Sequence, residues 1–210
     1  MCGRYTLNLT KETFAGVYGV QAPLDFHARF NVAPMQRAPV IRPDPDAVLE
    51  AVMLRWGFAP VQGRPLINAR AETVMDKPSF RAAYRTRRII VPNTGYFEWQ
   101  TLEDGKKQPH LLHVAQQPLA FAGLWTQDGD EECFTVITTS ASDHTRAIHD
   151  RAPVILEPGD WQTWLAPDAS PRDLAALLHS DPRLEAYPVS SRVGSVKNDD
   201  PSLLERLDLN

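Results

Sequence analysis

The chain has 210 residues, a net charge of −4, 43% hydrophobic residues and 23% charged ones, the balance of an ordinary soluble globular protein long enough for one sizeable core. No apolar run approaches the roughly 20 residues that span a bilayer, and the start MCGRYTLNLTKE lacks the apolar stretch of a secretory signal, so a cytoplasmic protein with no membrane partner is expected. Two cysteines, Cys2 and Cys133, exclude a disulfide framework and a cysteine-based zinc site, and no metal or cofactor is expected.

In chain order, a first helix is predicted to start near Thr10, with Glu12 in its first turn and Phe14, Val17 and Tyr18 on one face. Strands are then predicted at Pro39–Arg42, Val48–Arg55, Arg88–Val91, Tyr96–Gln100, His110–Val114, Leu119–Leu124, Phe134–Thr138 and Val154–Leu156. A short helix after Pro158 would bury Trp161 and Trp164. Another is capped by Ser170, opens with Pro171 and carries Leu174, Leu177 and Leu178. The 18 prolines punctuate many short elements and mark no linker. The pattern predicts one α+β domain over residues 1–210, a curved, mostly antiparallel sheet or barrel with peripheral helices.

Four polar segments carry residues that packing does not require. In Cys2-Gly3-Arg4-Tyr5, removal of Met1 would leave Cys2 as a 1,2-aminothiol. Its amine (ordinary pKa about 7.7–8.0) and thiol (about 8.5) both offer nucleophile near neutral pH, and together they close a thiazolidine on an aldehyde. By position alone, an idle thiol is the simpler reading. The run Asn68-Ala69-Arg70-Ala71-Glu72-Thr73 reads from spacing as a turn followed by a helix start.

In Gly95-Tyr96-Phe97-Glu98-Trp99, a strand puts Tyr96 and Glu98 on one face, and aromatic enclosure would keep Glu98 protonated as a general acid. An edge strand with Glu98 in water is the plain alternative. In Ile148-His149-Asp150-Arg151-Ala152-Pro153, His149 is suited to proton transfer, although a lone histidine is more often structural. His110 and His113, three apart in a strand, face opposite sides and make a poor metal pair. Arg81, Arg85, Arg87 and Arg88 crowd one stretch, which reads as a solvated helix face or as one wall of a basic groove.

These segments, in this order, resemble the SRAP family, the SOS response-associated peptidase or abasic-site processing proteins. The matching stretches are MCGRY (1–5), FNVAP (30–34), WGFAP (56–60), INARAET (67–73), GYFEW (95–99), FAGLW (121–125), VITTSA (136–141), IHDRAPVIL (148–156) and VSSRVGSVKN (189–198).

The resemblance implies recognition of abasic sites in single-stranded DNA and covalent bonding to them by a DNA-associated protein, and nothing in the sequence calls for more than a monomer. Cys2 would be the nucleophile, exposed by loss of Met1 through self-cleavage. Asn68 would position it, Glu98 would serve as the acid–base group, and His149 would assist Schiff-base chemistry and crosslink reversal. Arg4, Arg70, Arg81, Arg85 and Arg151 would be phosphate ligands. Trp56 and the Asn31–Met35 turn, including Pro34, would contact or wedge bases, and Thr138 in VITTSA would join the DNA-contacting set.

One departure is the short Val61-Gln62-Gly63-Arg64-Pro65, with no aromatic where many members carry tryptophan. A stacking contact from that loop is lost, and Arg64 offers an electrostatic one. Two other activities fit some of the same residues: a peptidase using Cys2 and His149, and a non-covalent single-strand binding module.

Overall fold

In the computed structural model, which describes residues 2–115, 117–179 and 184–208, one ring of strands and one open sheet share a common core. The elements in chain order are β1 (Tyr5–Leu7), α1 (Lys11–Tyr18), β2 (Arg29–Val32), β3 (Arg37–Pro43), β4 (Leu49–Trp56), β5 (Phe58–Val61), β6 (Arg64–Leu66) and β7 (Asn68–Arg70). They continue with α2 (Pro78–Thr86), β8 (Arg88–Asn93), β9 (Gly95–Thr101), β10 (Lys107–His113), β11 (Leu119–Asp128), β12 (Glu131–Ser140) and β13 (Arg151–Pro153). Helices α3 (Trp161–Leu165) and α4 (Pro171–Ala176) and strand β14 (Glu185–Pro188) complete the set, with 3-10 turns at Pro158–Asp160, Ser191–Gly194 and Pro201–Leu204.

Strands β11, β8, β3, β4 and β12 pair in that order, and β12 pairs back onto β11, so the ring closes into a five-stranded barrel. Closure leaves no free edge among these five. All pairs in the ring are antiparallel except β4 with β12, where Arg55 lies opposite Cys133 and Trp56 opposite Phe134. The second sheet, β14-β10-β9-β1-β2, is antiparallel throughout. Its strand β9 is buried on both faces: Tyr96 enters the main core, and Phe97 enters a smaller cluster with Leu111, Val189, Val193 and Leu203. Gly95 starts that strand at φ 155, where a Cβ would sit 2.9 Å from the Leu112 carbonyl. The close β9–β10 approach beside the site therefore requires glycine.

The α+β barrel with peripheral helices is as the sequence predicts, and all eight predicted strand positions carry extended chain. The last is displaced. Strand β13 ends at Pro153, after which the Val154 N–H donates to Ile137 in β12 while the Val154 carbonyl and the Leu156 N–H bond β11. Residues 154–156 thus pass from one barrel strand to the next instead of lengthening either. Helix α1 starts as expected, Thr10 accepting from the Thr13 N–H. Helix α4 stops at Ala176, and Leu177 and Leu178 pack on the core from beyond its end. The loop without aromatics is a tight β5–β6 hairpin turning through Gln62 and Gly63, both at positive φ. Among the described residues no helix is long and apolar enough to cross a membrane.

Candidate active site

The N-terminal segment reaches the site along β9. Tyr5 pairs with Tyr96, and beyond the strand the Phe97 N–H donates to the Arg4 carbonyl (2.9 Å), which carries Cys2 toward Glu98. Cys2 is fully buried. Burial pushes its thiol well above the ordinary range, and the Glu98 carboxylate adds to the effect. The thiol is therefore protonated at neutral pH, and its activation needs a base.

Asn68 reaches Cys2 from β7. The sequence suggests a turn here, but Asn68–Arg70 form a strand because they pair in parallel with Val136–Thr138 of β12. A pairing some 70 residues apart leaves no local signal. Asn68 Nδ2 donates to the Cys2 carbonyl at 2.8 Å, while its Oδ1 is buried without a hydrogen-bond partner. A buried amide oxygen of this kind is a ready acceptor for a donor arriving at Cys2.

Glu98 is 3% exposed. Burial raises its carboxyl to about 7, and the negative charge of Asp150 pushes the same way. It is a carboxyl poised to give and take a proton near neutrality. His149, just before β13, accepts the Arg151 N–H at Nδ1 (3.0 Å), so the neutral ring carries its proton on Nε2. Asp150 Oδ1 also lies 3.0 Å from Nδ1, a contact that favours only the imidazolium. Burial lowers His149 below its usual value, and Asp150 is largely exposed, so the neutral ring prevails. Cys2, Asn68 and Glu98 thus come together from three separate segments, and His149 stands beside Asp150, whose charge acts on Glu98.

The DNA-contacting set divides. Arg70 is exposed two residues beyond Asn68, and Arg81 and Arg85 lie four apart on the exposed face of α2. Pro34 is half-buried in a turn whose tip, Met35, is 53% exposed at φ 68.

Several expectations need correction. Trp56 is fully buried; its ring stacks on Phe134 and tilts against Tyr5, and its Nε1 donates to the Ile67 carbonyl (2.9 Å), leaving no face for a base. Asn31 is also fully buried, its Nδ2 donating to the carbonyls of Val193 (3.2 Å), Ser195 (3.0 Å) and Asn198 (2.8 Å). Arg4 donates to Asn31 Oδ1 (3.0 Å) and to the carbonyls of Val193 (2.5 Å) and Gly194 (3.0 Å). Arg4 and Asn31 are therefore a latch between the terminus and residues 193–198, not free ligands.

Arg151 grips the Glu72 carboxylate with both ends of its guanidinium (2.5 and 3.0 Å) and also donates to the Thr138 carbonyl (2.7 Å). Thr138 is buried, and its carbonyl also takes the Ala71 N–H (2.8 Å). These two residues fasten the turn after β7 and so hold Asn68 in place. Arg88 is likewise unavailable to a ligand, because it is buried and donates to the carbonyls of Trp164, Tyr84, Arg85 and Ala166.

Sequence reasoning missed Asp199 and Gln36. Asp199 accepts from the backbone N–H groups of Phe30 (2.6 Å) and Asn31 (3.0 Å), and Gln36 Oε1 accepts from Arg29 (2.9 Å) and the Ala33 N–H (3.0 Å). Together they shape the turn that presents Met35. Gln36 lay within reach of a turn-based reading; Asp199, 168 residues from Asn31, did not. Among the described residues no group of three His, Cys, Asp or Glu side chains could hold a metal ion.

The family model described as SOS response associated peptidase (SRAP) matches residues 1–196. The abasic site processing protein YoqW of Bacillus subtilis is 37% identical, over 98% of this chain and 99% of its own length. YedK of Escherichia coli, also named an abasic site processing protein, is 31% identical over 98% and 99%. A crystal structure of a Bacteroides thetaiotaomicron protein superposes with a TM-score of 0.85 at 28% identity, covering 98% of this chain and all of that one. With the barrel, the Cys2–Asn68 contact and the buried Glu98 all carried by stretches inside the matched region, the chain belongs to the SOS response associated peptidase (SRAP) family.

Proposed function

We propose that this protein processes abasic sites in single-stranded DNA by capturing them covalently on Cys2. The observation that carries the reading is the Asn68 amide holding the Cys2 carbonyl at 2.8 Å beside a carboxyl that titrates near 7. The names of the relatives, abasic site processing proteins, support the substrate class.

Loss of Met1, through attack of the Cys2 thiol on the Met1 carbonyl and hydrolysis of the resulting thioester, frees the α-amine. This single cut suits the peptidase in the family's name. The amine then adds to the aldehyde carbon of the ring-opened abasic sugar and gives a carbinolamine. Protonated Glu98 delivers its proton to the departing hydroxyl, water leaves, and a Schiff base remains. The Glu98 carboxylate then takes the thiol proton as sulfur adds to the imine carbon. The thiazolidine closes, one water has been released, and Glu98 is protonated again. His149, with its proton on Nε2, serves the reverse opening of the ring. Arg70, Arg81 and Arg85 supply the phosphate track, and the exposed Met35 beside Pro34 is the wedge that separates bases.

The test is incubation of the processed protein with single-stranded DNA bearing one abasic site, followed by denaturing electrophoresis. A shifted band that disappears in Cys2→Ala is expected. An equal yield of adduct from Cys2→Ala overturns the mechanism.

A further inference from the structure

The segment that carries His149 is fixed on both sides. The Ile148 and His149 N–H groups donate to the Thr145 carbonyl (2.9 and 3.2 Å), and the Ala141 N–H donates to the Asp150 carbonyl (3.0 Å). Gln100 of β9, two residues beyond Glu98, donates from Nε2 to the Ala147 carbonyl at 3.3 Å. Strand β13 then begins at Arg151, opposite Ser140.

This frame sets two groups against one ring nitrogen. Nδ1 of His149 lies 3.0 Å from the Arg151 backbone nitrogen and 3.0 Å from Asp150 Oδ1. The first partner is a donor and requires a bare nitrogen; the second is an acceptor and requires a protonated one. A single proton therefore decides which of the two bonds exists. The ring is neutral in one state and an imidazolium in the other.

The Asp150 side chain is 83% exposed, so water reaches it, and among the described residues no lysine or arginine pairs with it. Its neighbours differ: Asp143 pairs with Arg146, and Glu72 with Arg151. Burial lowers His149 and raises Glu98, and the Asp150 charge pushes both upward. The positive α-amine of the chain lowers both, Lys107 lowers His149, and Glu98 in turn raises Cys2.

We propose that Asp150 is a positioning residue for His149: it accepts the Nδ1 proton of the imidazolium and so keeps a second proton ready at Nε2. The inference rests on the covalent-capture reading for its purpose and on the His149–Asp150 contact for its geometry. In reversal of the adduct the thiazolidine C–S bond breaks, its electron pair leaves on sulfur, and the nitrogen lone pair forms the C=N bond. The imidazolium gives its Nε2 proton to that sulfur. A free thiol, a protonated Schiff base and a neutral ring remain, the ring keeping its Nδ1 proton on Asp150. The positive charge has passed from the ring to the Schiff base.

The test follows the His149 ring carbons and the Glu98 carboxyl carbon by NMR across pH in wild type, Asp150→Asn and Asp150→Glu. Asparagine keeps the size and removes the charge; glutamate restores the charge. Asp150→Asn is expected to lower the His149 midpoint by about half a pH unit, the amount an exposed ion pair supports, and to move Glu98 in the same direction. Asp150→Glu keeps both near wild type. Above pH 7 the imidazolium is the minor form, so release of DNA from the preformed adduct slows about threefold in Asp150→Asn.

An unmoved His149 midpoint in Asp150→Asn overturns the proposal, as does equal slowing of release by asparagine and glutamate. If wild type forms no adduct while the midpoint still falls, the capture reading is lost and the His149–Asp150 pair stands.

Discussion

Replacing Glu98 with glutamine removes a charge, keeps the shape, and has a consequence for stability that needs no DNA to measure. Burial holds the wild-type carboxyl protonated up to about 7, against an ordinary value of 4.5. The folded chain therefore binds this proton more tightly than the unfolded chain. The resulting stabilisation is complete below pH 4.5 and is lost as pH rises through 7. At about 1.4 kcal/mol per unit, the interval is worth about 3 kcal/mol, of which about 2.5 kcal/mol falls between pH 5 and pH 8. Glu98→Gln lacks this dependence.

Urea unfolding of both proteins at both pH values is the assay, since the groups not in contact with Glu98 are common to the two and cancel. Wild type should lose about 2.5 kcal/mol relative to the variant on going from pH 5 to pH 8. Parallel pH profiles would refute the idea that burial keeps Glu98 protonated, and with it the source of the proton for Schiff-base formation. In the crosslinking assay the variant should be slow at every pH, whereas wild type, whose α-amine becomes a free nucleophile near pH 8, should slow about tenfold per pH unit only above about 8.

Asn31→Ala removes the donor to three buried carbonyls and one partner of Arg4; we expect a loss of about 2–3 kcal/mol in denaturant melts, with slower crosslinking because the terminus is released. Trp56→Ala should cost about 3–5 kcal/mol as a core cavity, and a variant that folds normally yet binds DNA weakly would restore Trp56 as a base contact. Arg70→Ala should weaken binding to single strands of any sequence and reduce the salt slope of log affinity by about 0.7, measured by fluorescence anisotropy from 50 to 200 mM salt. An unchanged slope would place the phosphates elsewhere.

The barrel was legible because its long strands carry continuous apolar runs. Phe134–Thr138 and Leu119–Leu124 announce themselves through β-branched and aromatic residues. The three-residue strands did not, since Asn68–Arg70 becomes a strand only through its distant partner β12. The candidate site residues stood out for a different reason. A cysteine at position 2, an amide, a carboxyl and a histidine are conspicuous residue types, and their order along the chain was enough to single them out as candidates. Side-chain direction was not available to that reasoning. Arg4 and Arg151 look like phosphate ligands by charge, and only packing shows their guanidinium groups turned inward onto carbonyls and Glu72. Trp56 misled in the same way, because an aromatic beside a polar motif reads alike whether it faces a base or a barrel.

The latch formed by Arg4 and Asn31 also sets an order of events during synthesis. Its acceptors are the carbonyls of residues 193–198, and Arg4 and Val193 are 189 positions apart. Cys2 is synthesised well before the groups that fix its neighbour. A nascent chain can build the barrel strands one after another, but it lacks these anchors until residue 198 has emerged. Cys2 is thus made early along the chain and seated late in folding.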